Sequence, residues 1–179
     1  MLISITGTPG TGKTTVSKIL KKDGYNVIDL NSISKEFIIG YDKKRKTSIV
    51  DIKKLDRKIR NYKKNNKKFL IGHLSHLLSV DYVFILRCNP LVLKLRLKKK
   101  KYNNQKIKEN ICAEAIDYIL LEAYRKHRNR IWEIDTTNKK PKDVAREIVE
   151  VLKLKKFSEY KIGNIDWSNE IYENPLDFI

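Results

Sequence analysis

The sequence is poor in cysteine, with only Cys88 and Cys112 among its 179 residues. The two do not form a C-x-x-C pair, and no Cys/His cluster surrounds either of them. This pattern argues against both a zinc site and a disulfide framework. The N-terminus enters a predicted strand at once, without the pattern of a signal peptide. We therefore expect a cytoplasmic protein.

The sequence also lacks an apolar run long enough to cross a membrane. Its most apolar stretch, residues 69–86, is interrupted by His73, His76 and Asp81. That stretch predicts two buried strands rather than a membrane span, so no membrane partner is expected. The length of 179 residues and a hydrophobic fraction of 41% predict one domain with a substantial core.

Negative charge is scarce in two segments of a chain whose net charge is +18. Residues 43–68 contain thirteen basic and two acidic side chains, and residues 94–108 contain eight basic and no acidic ones. Such segments could bind phosphate-rich substrates or nucleic acid. A lysine-rich composition spread over hydrated helix faces would produce the same pattern. Both interpretations remain open.

The most informative feature that is present is GTPGTGKT at residues 7–14, a complete G-x-x-x-x-G-K-[ST] motif. An apolar strand is predicted just upstream, and a helix is predicted over 15–22. Glycines let backbone N–H groups surround phosphates, and the N-terminus of a helix favours anions. Lys13 is then placed for the β- and γ-phosphates and the Thr14 hydroxyl for Mg²⁺. The motif predicts binding of a nucleoside triphosphate.

Strands and helices alternate along the rest of the chain. Short strands are predicted over 27–30, 69–71, 82–86 and 131–134, with helices over 52–63, 91–100, 106–127 and 142–154. Together with the N-terminal strand, they predict an α/β fold of the P-loop NTPase class. This fold has a five-stranded parallel sheet and helices on both faces. Its ligands bind at the carboxyl ends of the strands.

A second block follows the strand that ends at Arg87. Pro90 is well placed to begin a helix, a basic loop comes next, and a long second helix is predicted. A positive helix–loop–helix late in a P-loop fold is typical of a lid that closes over nucleotide phosphates. Such a lid excludes water and adds cations around the transferring phosphoryl group.

These blocks together make the chain resemble the small adenylate-kinase-like NTPase family of archaea and eukaryotes. The resemblance covers about residues 1–154 and is carried by GTPGTGKTT, GHLSHLL, LRCNP, RLKKKKYNNQKIKENICAEAIDYILLEA and IWEIDTT. The tail sequence GNIDW resembles the archaeal branch. The family implies a nucleoside monophosphate kinase fold with a short lid, in a kinase domain spanning 1–156. It also implies adenylate kinase activity (ATP + AMP = 2 ADP, with base tolerance open) together with ATPase activity, and ATP and Mg²⁺ as cofactors.

The resemblance also implies roles for individual positions. The ATP-binding positions are Gly10, Gly12, Lys13, Thr14, Thr15, Arg96 and Lys100. Residues 28–53 match the segment that holds the nucleoside monophosphate, and residues 99–109 match the lid. Arg96 matches an adenine-stacking arginine, whereas Lys100 stands where relatives carry an arginine. His73 matches a catalytic histidine, although a histidine satisfied within the core would fit the same position. Ile71 replaces an acid found in relatives, and Asp29 is a candidate substitute.

Two functions remain open. One is a nucleoside monophosphate kinase, which needs no general base because its acceptor phosphate is already ionised. The other is primarily an ATPase that remodels a ribonucleoprotein, with His73 orienting the attacking water. The family implies late maturation of the small ribosomal subunit and its rRNA 3′ end. Its implied partners are the eleventh small-subunit protein and rRNA. Another small-molecule P-loop kinase is disfavoured by the lid block.

The C-terminal tail, residues 157–179, has a different composition from the body. It is acidic and aromatic, with a net charge of −4 over 158–179. We expect it to fold back onto the body, and docking to a partner is the alternative. Asp42 and Asp51 are weaker site candidates, because each would also suit a turn or a helix N-cap.

Overall fold

The structure, a computed structural model, describes residues 1–44, 47–63, 66–154, 158–175 and 178. The predicted boundary between body and tail at 156/157, the tail acid Asp177 and part of the basic segment 43–68 lie outside the described residues. The strands are β1 Leu2–Thr6, β2 Asn26–Asp29, β3 Ile38–Asp42, β4 Thr47–Val50, β5 Lys68–Ile71, β6 Tyr82–Arg87 and β7 Ile131–Asp135. The α-helices are α1 Lys13–Lys22, α2 Leu30–Ser34, α3 Ile52–Arg60, α4 Pro90–Lys99, α5 Asn104–Ala115, α6 Tyr118–His127, α7 Pro141–Leu154 and α8 Ser168–Glu173.

Five of the strands form one parallel sheet in the order β2-β5-β1-β6-β7. Successive side chains of a strand point to opposite faces, so each strand contributes to two apolar cores. Ile3 and Phe84 face a core completed by α1 and α7. Leu2 and Val83 face the other core, which α3 and α6 complete. The predicted five-stranded parallel sheet with helices on both faces is confirmed.

The sheet brings the carboxyl ends of β1, β5 and β6 side by side. Ile5 pairs with Ile71 on one side and with Phe84 on the other. Because β1 is the central strand, the loop that follows it emerges between two neighbours. This position places the GTPGTGKT loop at the centre of the edge where ligands of such sheets bind.

One predicted helix, over 106–127, is wrong as a single element: it is two helices separated by Ile116 and Asp117. The Arg87 guanidinium donates to the Glu114 carbonyl at 3.2 Å and to the Asp117 carboxylate. A continuous helix would use that carbonyl for its own ladder. Asp117 instead adopts φ +57°, which Asp tolerates better than most residues, and the chain turns there.

Ile38–Asp42 and Thr47–Val50, for which no strands were predicted, pair as the antiparallel strands β3 and β4, called the hairpin β3–β4 below. The hairpin stands outside the main sheet and presents apolar side chains to solvent: Ile39 is 64% and Tyr41 58% exposed. The candidate site residue Asp42 ends β3. Asp51 is the N-cap of α3, because its carboxylate accepts from the Lys54 N–H at 3.0 Å.

The tail folds back onto the body, as expected. The Gly163 N–H donates to the Glu133 carboxylate at 2.9 Å, and the Asn89 amide donates to the Glu170 carboxylate at 2.6 Å. Phe178 packs against the apolar cluster between α4 and α5. The tail therefore covers the base of the helix pair that carries the predicted lid.

Candidate active site

The loop between β1 and α1 has the backbone conformation of a phosphate cradle. Gly7 has φ +138°, and a Cβ there would lie 2.4 Å from the Leu86 carbonyl oxygen. Gly10 has φ +99°, and its Cβ would meet Leu93 at 2.7 Å. Both positions therefore require glycine on two grounds, the left-handed backbone and the lack of space. The loop can approach its neighbours only because these side chains are absent.

Lys13, the first residue of α1, turns back into the loop. Its ammonium group donates to the Gly7 carbonyl at 2.6 Å and to the Thr8 carbonyl at 2.9 Å. Burial lowers the pKa of Lys13 to about 7; Lys100 adds to the effect and Glu114 opposes it. An anion in front of the loop would favour the charged form of Lys13. The arrangement is that of a cation held ready for phosphate.

A cavity of about 190 Å³ opens in front of the loop. It is lined by Pro9, Gly10, Gly12, Lys13, Thr14, Thr15, Asn31, His73, Lys100 and Tyr102. None of these lining residues is acidic, and two are lysines. The cavity also joins four separate parts of the chain, because Asn31 follows β2, His73 follows β5 and Tyr102 follows α4, in addition to the loop itself. The site is therefore suited to a polyanion in contact with more than the P-loop.

A second cavity, of about 350 Å³, adjoins the first on the side of α4 and α7, and Arg96 lies on its wall. The Arg96 guanidinium donates to the Thr136 carbonyl at 2.7 Å and to the Thr137 carbonyl at 2.9 Å. Gly10, Gly12, Thr15 and Lys100 line both cavities. An elongated ligand could therefore extend from one cavity into the other, as the phosphate chain and the base of a nucleotide would.

His73 follows β5 and is exposed at the cavity of about 190 Å³ in front of the loop, called the phosphate cavity below. Loss of hydration lowers its pKa, and the charges of Lys13 and His76 lower it further. A neutral imidazole can accept a hydrogen bond or a proton from water. His73 therefore faces the cavity instead of filling the core, while its role in chemistry remains a prediction.

The two other histidines, His76 and His127, are buried. His76 lies 3.0 Å from the Thr6 hydroxyl through Nδ1 and 3.1 Å from the Glu122 carboxylate through Nε2. The Nε2 of His127 lies 2.7 Å from the His76 carbonyl. The Thr6 hydroxyl also donates to the carbonyl of His73 at 3.3 Å. His76 thus helps to hold the turn that presents His73.

The residues at the cavity fit a magnesium ion held mainly by phosphate and water. Thr14 is exposed at the N-terminus of α1 and offers one hydroxyl. Ile71, at the position where the resemblance implies an acid, is 5% exposed. The Asp29 carboxylate caps α2 by accepting from the Asn31 N–H at 3.0 Å, which commits it locally. Among the described residues, no group of three or more His, Cys, Asp or Glu side chains could hold a metal ion.

The structure brings all the implied ATP-binding residues and His73 to these two cavities, with His73 at one and Arg96 at the other, whereas the candidates Asp29, Asp42 and Asp51 line neither of them. Sequence reasoning missed the contribution of Thr136, whose hydroxyl lies 3.1 Å from the Thr11 carbonyl and 2.8 Å from that of Arg87. Its signal was the pair of threonines that ends IWEIDTT. Asn31, Tyr102 and Glu114 were missed as well. Within the described part of the chain, no helix is both long and apolar enough to span a bilayer.

A parallel sheet of this order, with a phosphate loop after its central strand, is the fold of a P-loop kinase. A family profile described as an AAA domain matches residues 3–117. Two solved structures share the fold at low sequence identity. A shikimate kinase from Acinetobacter baumannii, in complex with shikimate, has a TM-score of 0.56 and 16% identity, over 88% of this chain and 95% of that one. A deoxyadenosine kinase from M. mycoides has a TM-score of 0.53 and 17% identity, over 86% of this chain and 100% of that one.

Archaeal relatives match along almost the whole chain. A protein of Methanocaldococcus jannaschii is 40% identical over 177 residues, covering 97% of this chain and 96% of the relative. A protein of Pyrococcus abyssi is 39% identical over 180 residues, covering 100% of this chain and 97% of the relative. Both carry the name "Putative adenylate kinase". The chain belongs to this archaeal family of adenylate-kinase-like proteins and is a phosphotransferase.

Proposed function

We propose that the protein transfers the γ-phosphoryl group of ATP to AMP, and that it hydrolyses ATP as a second reaction. The observation that carries this proposal is the composition of the phosphate cavity. Lys13 and Thr14 of the P-loop share it with Asn31, from the segment predicted to hold the monophosphate. A triphosphate lying along the loop would therefore end beside a region that can present an acceptor. The names of the archaeal relatives support adenine nucleotides as substrates.

Each lining residue has a role in this proposal. The backbone of Gly10 and Gly12 surrounds the phosphates, and Arg96 lies beside the adenine in the larger cavity. Lys13 and Lys100 stabilise the charge on the transferring phosphoryl group, and Thr14 contributes a ligand to Mg²⁺. The ion, when bound, neutralises phosphate charge. No base is needed for transfer to AMP, because its phosphate is already ionised. His73 would instead orient a water molecule when AMP is absent.

The test is a coupled assay of ADP formation from ATP, with and without AMP. We expect the rate of ADP formation to rise at least tenfold when AMP is added. We expect Lys13→Met to abolish this AMP-dependent turnover. A rate that does not respond to AMP would contradict the kinase proposal and favour the ATPase. Replacing AMP by CMP, GMP and UMP in the same assay would define the base preference of the acceptor site.

The exposed charge on α3 favours a second function, binding to an RNA-containing particle. Lys53, Lys54, Arg57, Lys58 and Arg60 are all exposed along this helix. A row of cations binds phosphate backbones with little sequence preference and with strong dependence on salt. The proposed site of action is the maturing small ribosomal subunit, and its ribosomal-protein and rRNA partners stay predictions. Charge reversal at Lys54 and Lys58 should weaken RNA binding in a salt-titrated assay while leaving AMP-dependent turnover unchanged.

A further inference from the structure

Glu114, in the last turn of α5, is a buried carboxylate with both oxygens in use. It is 3% exposed. One oxygen accepts from the Arg87 Nε at 2.8 Å and from the Cys88 N–H at 3.1 Å, at the end of β6. The other accepts from the Thr8 hydroxyl at 2.5 Å, inside the P-loop. Glu114 therefore joins three elements that are far apart in the sequence.

Thr8 is the residue through which the conformation of the loop is fixed. It is 2% exposed. Its carbonyl accepts from the Thr11 N–H at 3.2 Å, the Thr11 hydroxyl at 2.9 Å and the Lys13 ammonium group at 2.9 Å. A shift of Thr8 would thus move the group that holds Lys13. Glu114 is the side chain that fixes Thr8 from outside the loop.

The helix that carries Glu114 also carries part of the predicted lid. Lys99 ends α4, and α5 begins at Asn104 after a short connection. Leu93 and Leu97 of α4 pack with Ile107 and Ile111 of α5 in one buried cluster. The two helices and their connection therefore form a single packed unit. The bond from Glu114 to Thr8 is a direct polar link between this unit and the P-loop.

We propose that Glu114 is a positioning residue for phosphoryl transfer, acting through Thr8 to hold the P-loop in register with the lid-bearing helices. This inference rests on the proposed function. Lys13 and Lys100 lie on the two sides of the link, and both must reach the transferring phosphoryl group together. Losing the link should change the placement of Lys13 relative to Lys100 more than it changes the cavity-lining backbone of Gly10 and Gly12, where the triphosphate would bind. The loss should therefore reduce kcat more than it changes the KM for ATP.

A purely structural role makes a different prediction, because Glu114 also balances the charge of Arg87. Glu133 provides a matched control: it is equally buried, pairs with the same guanidinium and makes no contact with the P-loop among the contacts described. If Glu114 only supported Arg87, Glu133→Gln and Glu114→Gln would have the same consequences. If Glu114 acts through Thr8, only Glu114→Gln would affect kcat.

The experiment compares Thr8→Val, Thr8→Ser, Glu114→Gln and Glu133→Gln by steady-state kinetics and thermal unfolding. Thr8→Val and Glu114→Gln should each lower kcat about 10- to 100-fold, the scale of a small misplacement of reacting groups, with the KM for ATP within about threefold. Thr8→Ser keeps the hydroxyl and should recover most of kcat. Glu133→Gln should lower the melting temperature as Glu114→Gln does but keep the wild-type kcat. In the double variant of Thr8 and Glu114, the losses should not add.

A wild-type kcat for Thr8→Val would overturn the proposal, as would an equal loss for Glu133→Gln. Thr8→Val leaves the ion pairs of Arg87 intact, so it decides the question even if Glu114→Gln does not fold. The same variants are measured with ATP alone. If the wild-type protein shows no AMP-dependent turnover, the kinase proposal fails. The effect of Thr8→Val on ATP hydrolysis still tests Glu114.

Discussion

In the proposed reaction, the two nucleotides bind two different walls of the site. ATP binds the first wall, which is the P-loop with its lid. AMP binds the second wall, which is the segment from Asp29 to the hairpin β3–β4. The first wall is buried and densely bonded: Thr8, Thr11 and Thr136 are all less than 5% exposed. In the second wall, Ile39 and Tyr41 are more than half exposed. The first wall is preorganised for electrostatic stabilisation, whereas the proposal requires the second to close around an acceptor.

The difference suggests that the two walls tolerate substitution differently. On the P-loop side, most groups already have a bonding partner, so a substitution disturbs a formed network. On the hairpin side, a substitution changes an exposed surface that would contact the acceptor in the proposed reaction. Changes in the P-loop wall should therefore affect kcat and ATP binding. Changes in the hairpin should affect only the KM for the acceptor.

The largest effect should come from Lys13. Lys13→Met removes the cation that lies against Gly7 and Thr8, and should lower the rates of transfer and hydrolysis about 100- to 1,000-fold. Lys18→Met, on the exposed face of the same helix, is the matched control and should be neutral. The measurement is kcat in the assays with and without AMP. Retention of either activity would show that the P-loop wall is dispensable for that reaction.

The next largest effect should separate the two reactions. His73→Ala should lower AMP-independent hydrolysis about 100-fold, since the attacking water loses its orienting group, and should leave transfer to AMP within about threefold of wild type. Loss of hydration, together with the charges of Lys13 and His76, lowers the pKa of His73. On acidification, hydrolysis should therefore decline at a lower pH than an unperturbed histidine would give. Equal losses in both assays would contradict this division of labour.

The P-loop wall could be predicted because its signal is local. Gly7 to Thr14 carry their own spacing rule, and the loop lies between a short apolar strand, β1, and the helix α1. The hairpin β3–β4 was missed. It adjoins a basic run, and its strands pair only with each other, so neither shows the continuous apolar pattern of a buried strand.

The interactions that cross the fold could not be predicted from spacing. The break between α5 and α6 depends on Arg87, which lies 30 positions before Asp117. The link from Thr8 to Glu114 spans 106 positions. The link from Thr8 to Glu114 can form because the sheet order brings the ends of β1 and β6 together. A sequence pattern identifies the element that carries such a residue but not its partner.

A smaller effect, confined to ATP, should follow from Arg96. Arg96→Leu removes the guanidinium from the wall of the larger cavity, where the Thr136 and Thr137 carbonyls hold it. We expect the KM for ATP to rise about tenfold, the scale of one charge-assisted contact, with the KM for AMP unchanged. Lys98→Met, exposed on the same helix, is the control. Equal changes in the KM for both nucleotides would show that Arg96 does not act on ATP binding alone.

The smallest effect should come from the hairpin, and it tests directly whether the hairpin contacts the acceptor. Replacing both Ile39 and Tyr41 by Ser removes exposed apolar surface, so the melting temperature should hardly change. If the hairpin closes over the acceptor, the KM for AMP should rise about three- to fivefold while the KM for ATP stays constant. Tyr172→Ser, at a tail residue that is 87% exposed, is the control for losing an exposed aromatic ring. An unchanged KM for AMP would show that the hairpin is not part of the acceptor wall, and the acceptor contacts would then have to come from Asn31 and its neighbours at the phosphate cavity.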